Sequence, residues 1–140
     1  MTVLFLCRQN AGRSQMAQAF FAKAAPEHGA LSGGSSPAAH VHAEVVDAML
    51  EIGFDLTGRM PVRVDAEMLA KADHVVSMGC DDPAVCDYPG RKVEDWGIPD
   101  PSGKPVEEVR AIRDLLRSKV DELAERLRSA APRGPASQVR

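Results

Sequence analysis

The residues able to do chemistry on an anion cluster near the start of the chain, in the stretch CRQNAGRS from Cys7 to Ser14. A cysteine attacks as its thiolate, so its surroundings must favour the charged form. If this stretch curls into a nest, the peptide N–H groups of Arg8, Gln9, Asn10, Ala11, Gly12 and Arg13 converge on one oxyanion. Gly12 gives the backbone freedom to curl. The planar fork of Arg13 can grip two oxygens of a tetrahedral anion. Asn10 can tie the loop down through side-chain to backbone bonds. Ser14 can donate its hydroxyl to the Cys7 sulfur, and Arg8 adds positive field. The chemistry this predicts is attack by a stabilised thiolate on a bound tetrahedral oxyanion. The competing reading is a small buried hydrophobe at a strand end. What favours the anion loop is its setting, an apolar strand before it and a helix after it.

Two further cysteines, Cys80 and Cys86, lie in MGCDDPAVCDYPG. An odd total of three leaves at least one thiol unpaired, and thiols of a cytosolic chain seldom form a structural disulfide framework. Reactive thiols are therefore expected, with idle loop thiols as the alternative. A two-electron reduction of a substrate held on Cys7 requires a second thiol to attack the first sulfur and leave a disulfide. A third thiol can then carry that disulfide onward.

The elements that must position these groups follow from the apolar pattern. Thr2–Leu6 reads as a short buried strand. Ser14–Ala25 reads as a helix, with Met16 and Phe20, and Ala17 and Phe21, four apart, and Pro26 as its stop. Leu31–Gly34 reads as a second strand, broken by Gly33, Gly34 and Pro37. His42–Ile52 is amphipathic, with Val45, Val46, Met49, Leu50 and Ile52 inward and Gly53 at its end. Asp65–Ala72 is a short helix with Asp65 as N-cap, and His74–Met78 is a third strand. Cys80–Asp100 reads as loop. Val106–Leu127 is the longest helix, with Val109, Ile112, Leu116, Val120, Leu123 and Leu127 on one face. Strands alternating with helices predict a parallel sheet with helices on both faces, and such sheets bind ligands beyond the carboxyl ends of their strands. Cys7 stands at such an end.

At 140 residues the chain suits one domain. Residues 1–130 are taken as that domain, and 131–140, with two prolines and no core pattern, as a disordered tail. A net charge of −3 and 4% aromatic residues argue against a nucleic-acid binder. No apolar run is long enough to span a membrane and no signal peptide precedes MTVLFL, so a cytoplasmic protein is expected.

The stretch CRQNAGRSQMAQ resembles the phosphate-binding loop of the low-molecular-weight protein tyrosine phosphatases, and more closely that of their relatives, the arsenate reductases coupled to thioredoxin or to small thiols. The resemblance extends over nearly the whole chain. SGGSSPAAHVHAEVVDAMLEIGFDLTGRMP looks like the family's second strand and helix, HVVSMGC like the strand leading to its redox loop, and EDWGIPDPSGK like the segment carrying its acid loop. It implies an α/β fold with a four-stranded parallel sheet flanked by helices. It implies that Cys7 is the nucleophile, Arg13 the oxyanion ligand, Asn10 the loop organiser, Ser14 the thiolate stabiliser and Asp100 the loop acid. It assigns the relay to Cys80 and then Cys86, with no bound cofactor, arsenate as substrate, and an external reductant that is either thioredoxin or a small thiol with a glutaredoxin-like protein. A monomer is expected. Gln15 stands where the phosphatases typically carry proline, and Ser102 and Gly103 stand where tyrosines would flank a phosphotyrosine ring; both favour the reductase over a phosphatase. The six-residue step from Cys80 to Cys86 departs from the usual seven of thioredoxin-coupled members, and Met78-Gly79 before Cys80 looks like the small-thiol branch, so both donors stay open. Gln18 replaces a glutamate that helps bind potassium in some reductases.

Other residues read more plainly. His40 and His42 lack a third ligand at suitable spacing, so no metal site is expected and both read as solvated polar residues. Trp96 reads as a packing anchor, Asp81 and Asp82 as solvent-facing charges, and Arg59 and Arg63 as surface charges.

Overall fold

The computed structural model describes residues 1–79, 88 and 91–130. Cys80, Cys86, the acidic pair Asp81-Asp82 and the expected disordered tail lie outside the described residues. The apolar opening of the chain forms strand β1, Thr2–Cys7. It is followed by helix α1 (Arg13–Ala24), strand β2 (Gly29–Gly34), helices α2 (Ala43–Leu50) and α3 (Ala66–Lys71), strand β3 (His74–Ser77), strand β4 (Val93–Asp95) and helix α4 (Val106–Ala130). The sheet is four-stranded in the order β2-β1-β3-β4, and every pairing is parallel.

Alternation along β1 decides the layers, because successive side chains point to opposite faces. Val3, Phe5 and Cys7 join the main core with α1, α2 and α4. Leu4 and Leu6 point the other way into a smaller cluster with Val75, Met68 and Leu69 from the α3 side. The apolar stripe of α4 is buried as its spacing predicts: Val109, Leu116, Val120 and Leu123 are fully enclosed, with Ile112 and Leu127 nearly so. Trp96 packs 6.0 Å from the Phe5 ring and donates its indole N–H to Glu94, which fits the expected anchor. Asp65 caps α3, its carboxylate accepting the Met68 N–H at 2.8 Å.

Three expectations need correction. The segment read as loop up to Asp100 contains β4, whose three residues are too few to show a period. Leu50, read as inward, is 49% exposed, because α2 ends there and the chain turns away. Gly33 and Gly34, read as strand breakers, lie inside β2. Gly34 serves instead as a close-approach residue: a Cβ there would sit 2.7 Å from the Arg8 carbonyl oxygen and 2.9 Å from the Asn10 nitrogen. Among the described residues no helix is long and apolar enough to cross a membrane.

Candidate active site

Cys7 is the last residue of β1, a central strand, so its sulfur emerges at the carboxyl edge of the sheet and is buried there. The chain then loops through residues 8–12 into α1. The loop's carbonyls turn outward and are each satisfied by a neighbour. Arg8 O accepts from Ser36 N at 2.8 Å, Gln9 O from Ala38 N at 3.0 Å, Ala11 O from His42 N at 2.8 Å, and Gly12 O from Met16 N at 3.0 Å. Asn10 O accepts from the Gln15 amide at 3.1 Å. No carbonyl or side chain among the described residues takes the N–H groups of Arg8 through Gly12. The first-turn N–H groups of α1 are orphans by helix geometry, and its N-cap residue Gly12 supplies no side chain to them. The result is a ring of unclaimed donors, the nest that the sequence suggests.

Its turn is made by Asn10 rather than Gly12. Asn10 takes the left-handed conformation, φ 51°, while Gly12 has φ −146°. Asparagine tolerates that region better than other residues with a Cβ. Once there, its buried amide wires the loop. Nδ2 donates to Ser14 Oγ at 2.7 Å, and Oδ1 accepts from Gln15 Nε2 at 3.0 Å and from Val62 N at 2.8 Å. Ser14 Oγ lies 2.9 Å from Cys7 Sγ. With one lone pair of the Ser14 oxygen held by Asn10, the hydroxyl hydrogen is free to point at the sulfur, the arrangement a thiolate needs.

Above the sulfur is a polar cavity of about 290 Å³ lined by Cys7, Arg8, Gln9, Ala11, Gly12, Arg13, Ser36, His42, Asp100 and Ser102. The fold thus brings Cys7, Arg13 and Asp100 together from sequence-distant places. Asn10 and Ser14 sit fully buried behind the cavity wall as organisers. Arg13 Nη1 donates to Ile98 O at 2.8 Å, which pins the segment leading to Asp100 against the anion loop. Asp100 accepts the Ser102 N–H at 3.0 Å, and Glu44 on α2 accepts the Gly103 N–H at 3.2 Å. A bond from its own backbone N–H, against the opposing effect of burial, lowers the Glu44 carboxyl below its ordinary range. The Gly103 N–H and the field of His42 add to this, and Asp100 pushes the other way.

Ser36, His42 and Ser102 line the cavity without having been singled out as site residues. No spacing rule links residues 36 and 42 to Cys7. Only the paired β2–β1 register and the Ala11–His42 hydrogen bond bring them there. Gln15 is a second omission, a 2% exposed side chain bonded to both Asn10 and the Met60 carbonyl. Arg59, read as a surface charge, is half-buried and reaches Gln18 Oε1 at 3.4 Å. Arg63 is exposed and donates to Ser35 O. The lone tyrosine, Tyr88, packs on the smaller core cluster away from this cavity.

Known proteins with this architecture are informative at this point. Residues 2–133 match the family described as low molecular weight phosphotyrosine protein phosphatase. A putative arsenate reductase of Halobacterium salinarum is 42% identical over 125 residues, covering 85% of this chain and 87% of that protein. Arsenate reductase 2 of Staphylococcus epidermidis is 31% identical over 122 residues, covering 86% of this chain and 93% of that one. Among solved structures, the thioredoxin-dependent arsenate reductase Cg_ArsC1′ of Corynebacterium glutamicum superposes with a TM-score of 0.75 at 30% identity, covering 92% of this chain and 62% of that one. The matched span takes in the parallel sheet and the loop after Cys7, and the chain belongs to the low molecular weight phosphotyrosine protein phosphatase family.

Proposed function

We propose that this protein is a cytoplasmic enzyme that reduces arsenate to arsenite. The observation that carries the reading is the Cys7 sulfur, 2.9 Å from the Ser14 hydroxyl at the base of a small polar cavity ringed by unclaimed N–H donors. A tetrahedral oxyanion fits that environment, and the relatives named arsenate reductase support this choice of oxyanion. The Cys7 thiolate attacks arsenic, and one arsenic oxygen leaves as water after Asp100 supplies a proton. The nest and Arg13 hold the remaining oxygens as charge shifts. Cys80 then attacks Cys7 Sγ. The new S–S bond replaces the S–As bond, whose electron pair stays on arsenic and turns As(V) into As(III). Cys86 attacks the Cys80 sulfur and frees Cys7, and an external dithiol returns two electrons to the Cys80–Cys86 disulfide. Thioredoxin is the favoured donor, because two further cysteines are present to make a protein disulfide. The thioredoxin-dependent Cg_ArsC1′ is a structural relative. A small thiol with a glutaredoxin-like partner is the alternative.

The test is a thiol map after one stoichiometric dose of arsenate. Cys86→Ser should trap a Cys7–Cys80 disulfide, and Cys80→Ser should stop arsenite release. Full turnover of Cys86→Ser with thioredoxin and its reductase would reject the relay and favour the small-thiol route. The phosphatase reading has the family fold in its favour, yet no Phe, Tyr or Trp side chain among the described residues lines the cavity. Weak hydrolysis of p-nitrophenyl phosphate, reduced in Asp100→Asn, is expected as a side activity. Efficient dephosphorylation of phosphotyrosine peptides with no arsenate turnover under any reductant would reverse the assignment.

A further inference from the structure

His42 is the histidine that the function above leaves unused, and its position is unusual. It is the N-cap residue of α2, yet its side chain makes no cap hydrogen bond. The residues favoured at such a position are Asn, Asp, Ser and Thr, because their short side chains reach back to the helix N–H groups. His42 forgoes that stabilisation. Its backbone is nonetheless fixed: its N–H donates to Ala11 O at 2.8 Å, and its carbonyl accepts from Val45 N and Val46 N at 3.0 Å each. The ring is half-buried and lines the anion cavity, with Cδ2 only 3.6 Å from where a Cβ on Gly12 would stand. Among the described residues no side chain or carbonyl hydrogen-bonds the imidazole. The other three histidines are elsewhere: His28 beside the N-terminus, His40 exposed, and His74 against Glu94.

We propose that His42 is a substrate-contacting residue of this site, its imidazole donating a hydrogen bond to an oxygen of the bound oxyanion and, when protonated, adding a second cation opposite Arg13. This rests on the anion-loop reading of the cavity and extends it. The nest and Arg13 give a charge that does not vary near neutral pH, because guanidinium stays protonated. Histidine is the side chain whose ordinary range lies there. The charged groups facing it are Glu44 on its own helix, Arg8 and Arg13 from the anion loop, the Cys7 sulfur, and Asp100 from the segment before α4. A dianion bound in the cavity is attracted more strongly to a charged ring than to a neutral one. Binding of a doubly charged oxyanion therefore strengthens as pH falls through the histidine range, and this preference separates dianions from singly charged or neutral competitors.

The test uses sulfate, a tetrahedral anion whose charge does not change near neutral pH, and the Cys7→Ser protein, so that no thiol titrates at the site. Sulfate affinity is measured by calorimetry at about pH 6 and about pH 8, with and without His42→Asn. Asparagine is a favoured N-cap, so the variant should fold at least as stably, which its thermal midpoint checks. The expected result is roughly fivefold tighter sulfate binding at the lower pH in Cys7→Ser, and loss of that difference when His42→Asn is added. An equal pH dependence with and without His42, or none in either protein, overturns the proposal while leaving the anion loop intact. Failure of Cys7→Ser to bind sulfate at either pH refutes the anion loop itself, and the role of His42 with it.

Discussion

Replacing Asn10 by alanine tests whether the loop is held as described. The side chain makes three hydrogen bonds, to Ser14 Oγ, Gln15 Nε2 and Val62 N, and is 0% exposed. Each is worth about 1 kcal/mol net, so their loss costs about 3 kcal/mol. Alanine must also adopt φ 51°, at a cost of roughly 1 kcal/mol. The sum is about 4 kcal/mol, a large share of the ~5–15 kcal/mol that stabilises a typical domain. In a chain of this size that lowers the thermal midpoint by on the order of 10 °C. Asn10→Gly separates the two contributions. It loses the same bonds without the backbone strain, and should be more stable than Asn10→Ala by up to roughly 0.5 kcal/mol once the entropy of the freer unfolded chain is set against the relieved strain. Urea denaturation of the three proteins gives the free energies, and iodoacetamide alkylation of Cys7 at neutral pH reports the reactivity of its sulfur beside Ser14. Both variants should alkylate more slowly. A loss below about 1 kcal/mol in Asn10→Ala, with unchanged alkylation, would refute the claim that Asn10 organises the nest.

Three further outcomes are expected. Arg13→Lys keeps the charge but loses the two-pronged grip and the bond to Ile98 O. Arsenate turnover should fall by of order 10²–10³ with little change in thermal midpoint, and near-normal turnover would remove Arg13 from the site. Glu44→Gln weakens the tie to Gly103 and should reduce the rate of oxygen departure more than oxyanion affinity, read as a fall in kcat larger than any rise in KM; a change in KM alone would place Glu44 outside the positioning of Asp100. Hydrogen bonds from Arg110 and Arg113 lower the Glu51 carboxyl to about 2. Its folded value is depressed, so its stabilisation is present above the ordinary carboxylate range and lost as pH falls towards 2; the thermal midpoints of wild type and Glu51→Gln should differ near neutrality and converge in acid, and a pH-independent gap would reject the bridge.

How much of this was legible in the sequence depended on the range of the forces involved. The strand read at Thr2–Leu6 and the stripe of α4 are written in local apolar spacing; both formed, the strand running one residue further to Cys7. The anion loop was legible because strand, nest and helix are consecutive. Its internal wiring was only half legible. The Asn10–Ser14 bond spans four residues and could be anticipated, whereas Val62 reaches Asn10 from 52 positions away, and only the pairing of the 62–64 segment with Gly34 brings it there. The glycines misled for the same reason. Gly12 lies in the loop and invited the turn, but side-chain bonding settled φ > 0 on Asn10. Gly34 read as a breaker, yet its lack of a Cβ is what lets β2 run against the loop backbone. β4 was invisible because three residues carry no period, and its strand character comes from pairing with β3.

The same tetrahedral cavity suits phosphate and arsenate, so the loop alone does not choose between hydrolysis and reduction. On the route proposed above, in which Cys7 attacks first, the two reactions differ in what arrives next at the covalent adduct. Water attacking phosphorus regenerates the thiolate without redox change. A thiol attacking the Cys7 sulfur pushes two electrons onto the central atom, which arsenic accepts by becoming trivalent and phosphorus in phosphate does not. The outcome is therefore set by which nucleophile can approach the sulfur. In this fold the sulfur sits at the carboxyl edge of β1, beside β3 and the residues that follow it. Met78 N–H donates to Leu6 O at 2.8 Å, so the backbone leaving β3 is held next to the residue that precedes Cys7. Cys80 follows two positions later in the sequence. A disulfide needs its Cα atoms within roughly 4.4–6.8 Å, and a thiol tethered that near Met78 has a short search to make. Moving the Cys80 thiol to another position on this segment, as in Cys80→Ser combined with Val85→Cys, would lengthen that search without altering the anion loop. Arsenate turnover should then fall while hydrolysis of p-nitrophenyl phosphate stays unchanged; a parallel fall in both would mean that the segment after β3 serves the anion loop itself rather than the choice of nucleophile.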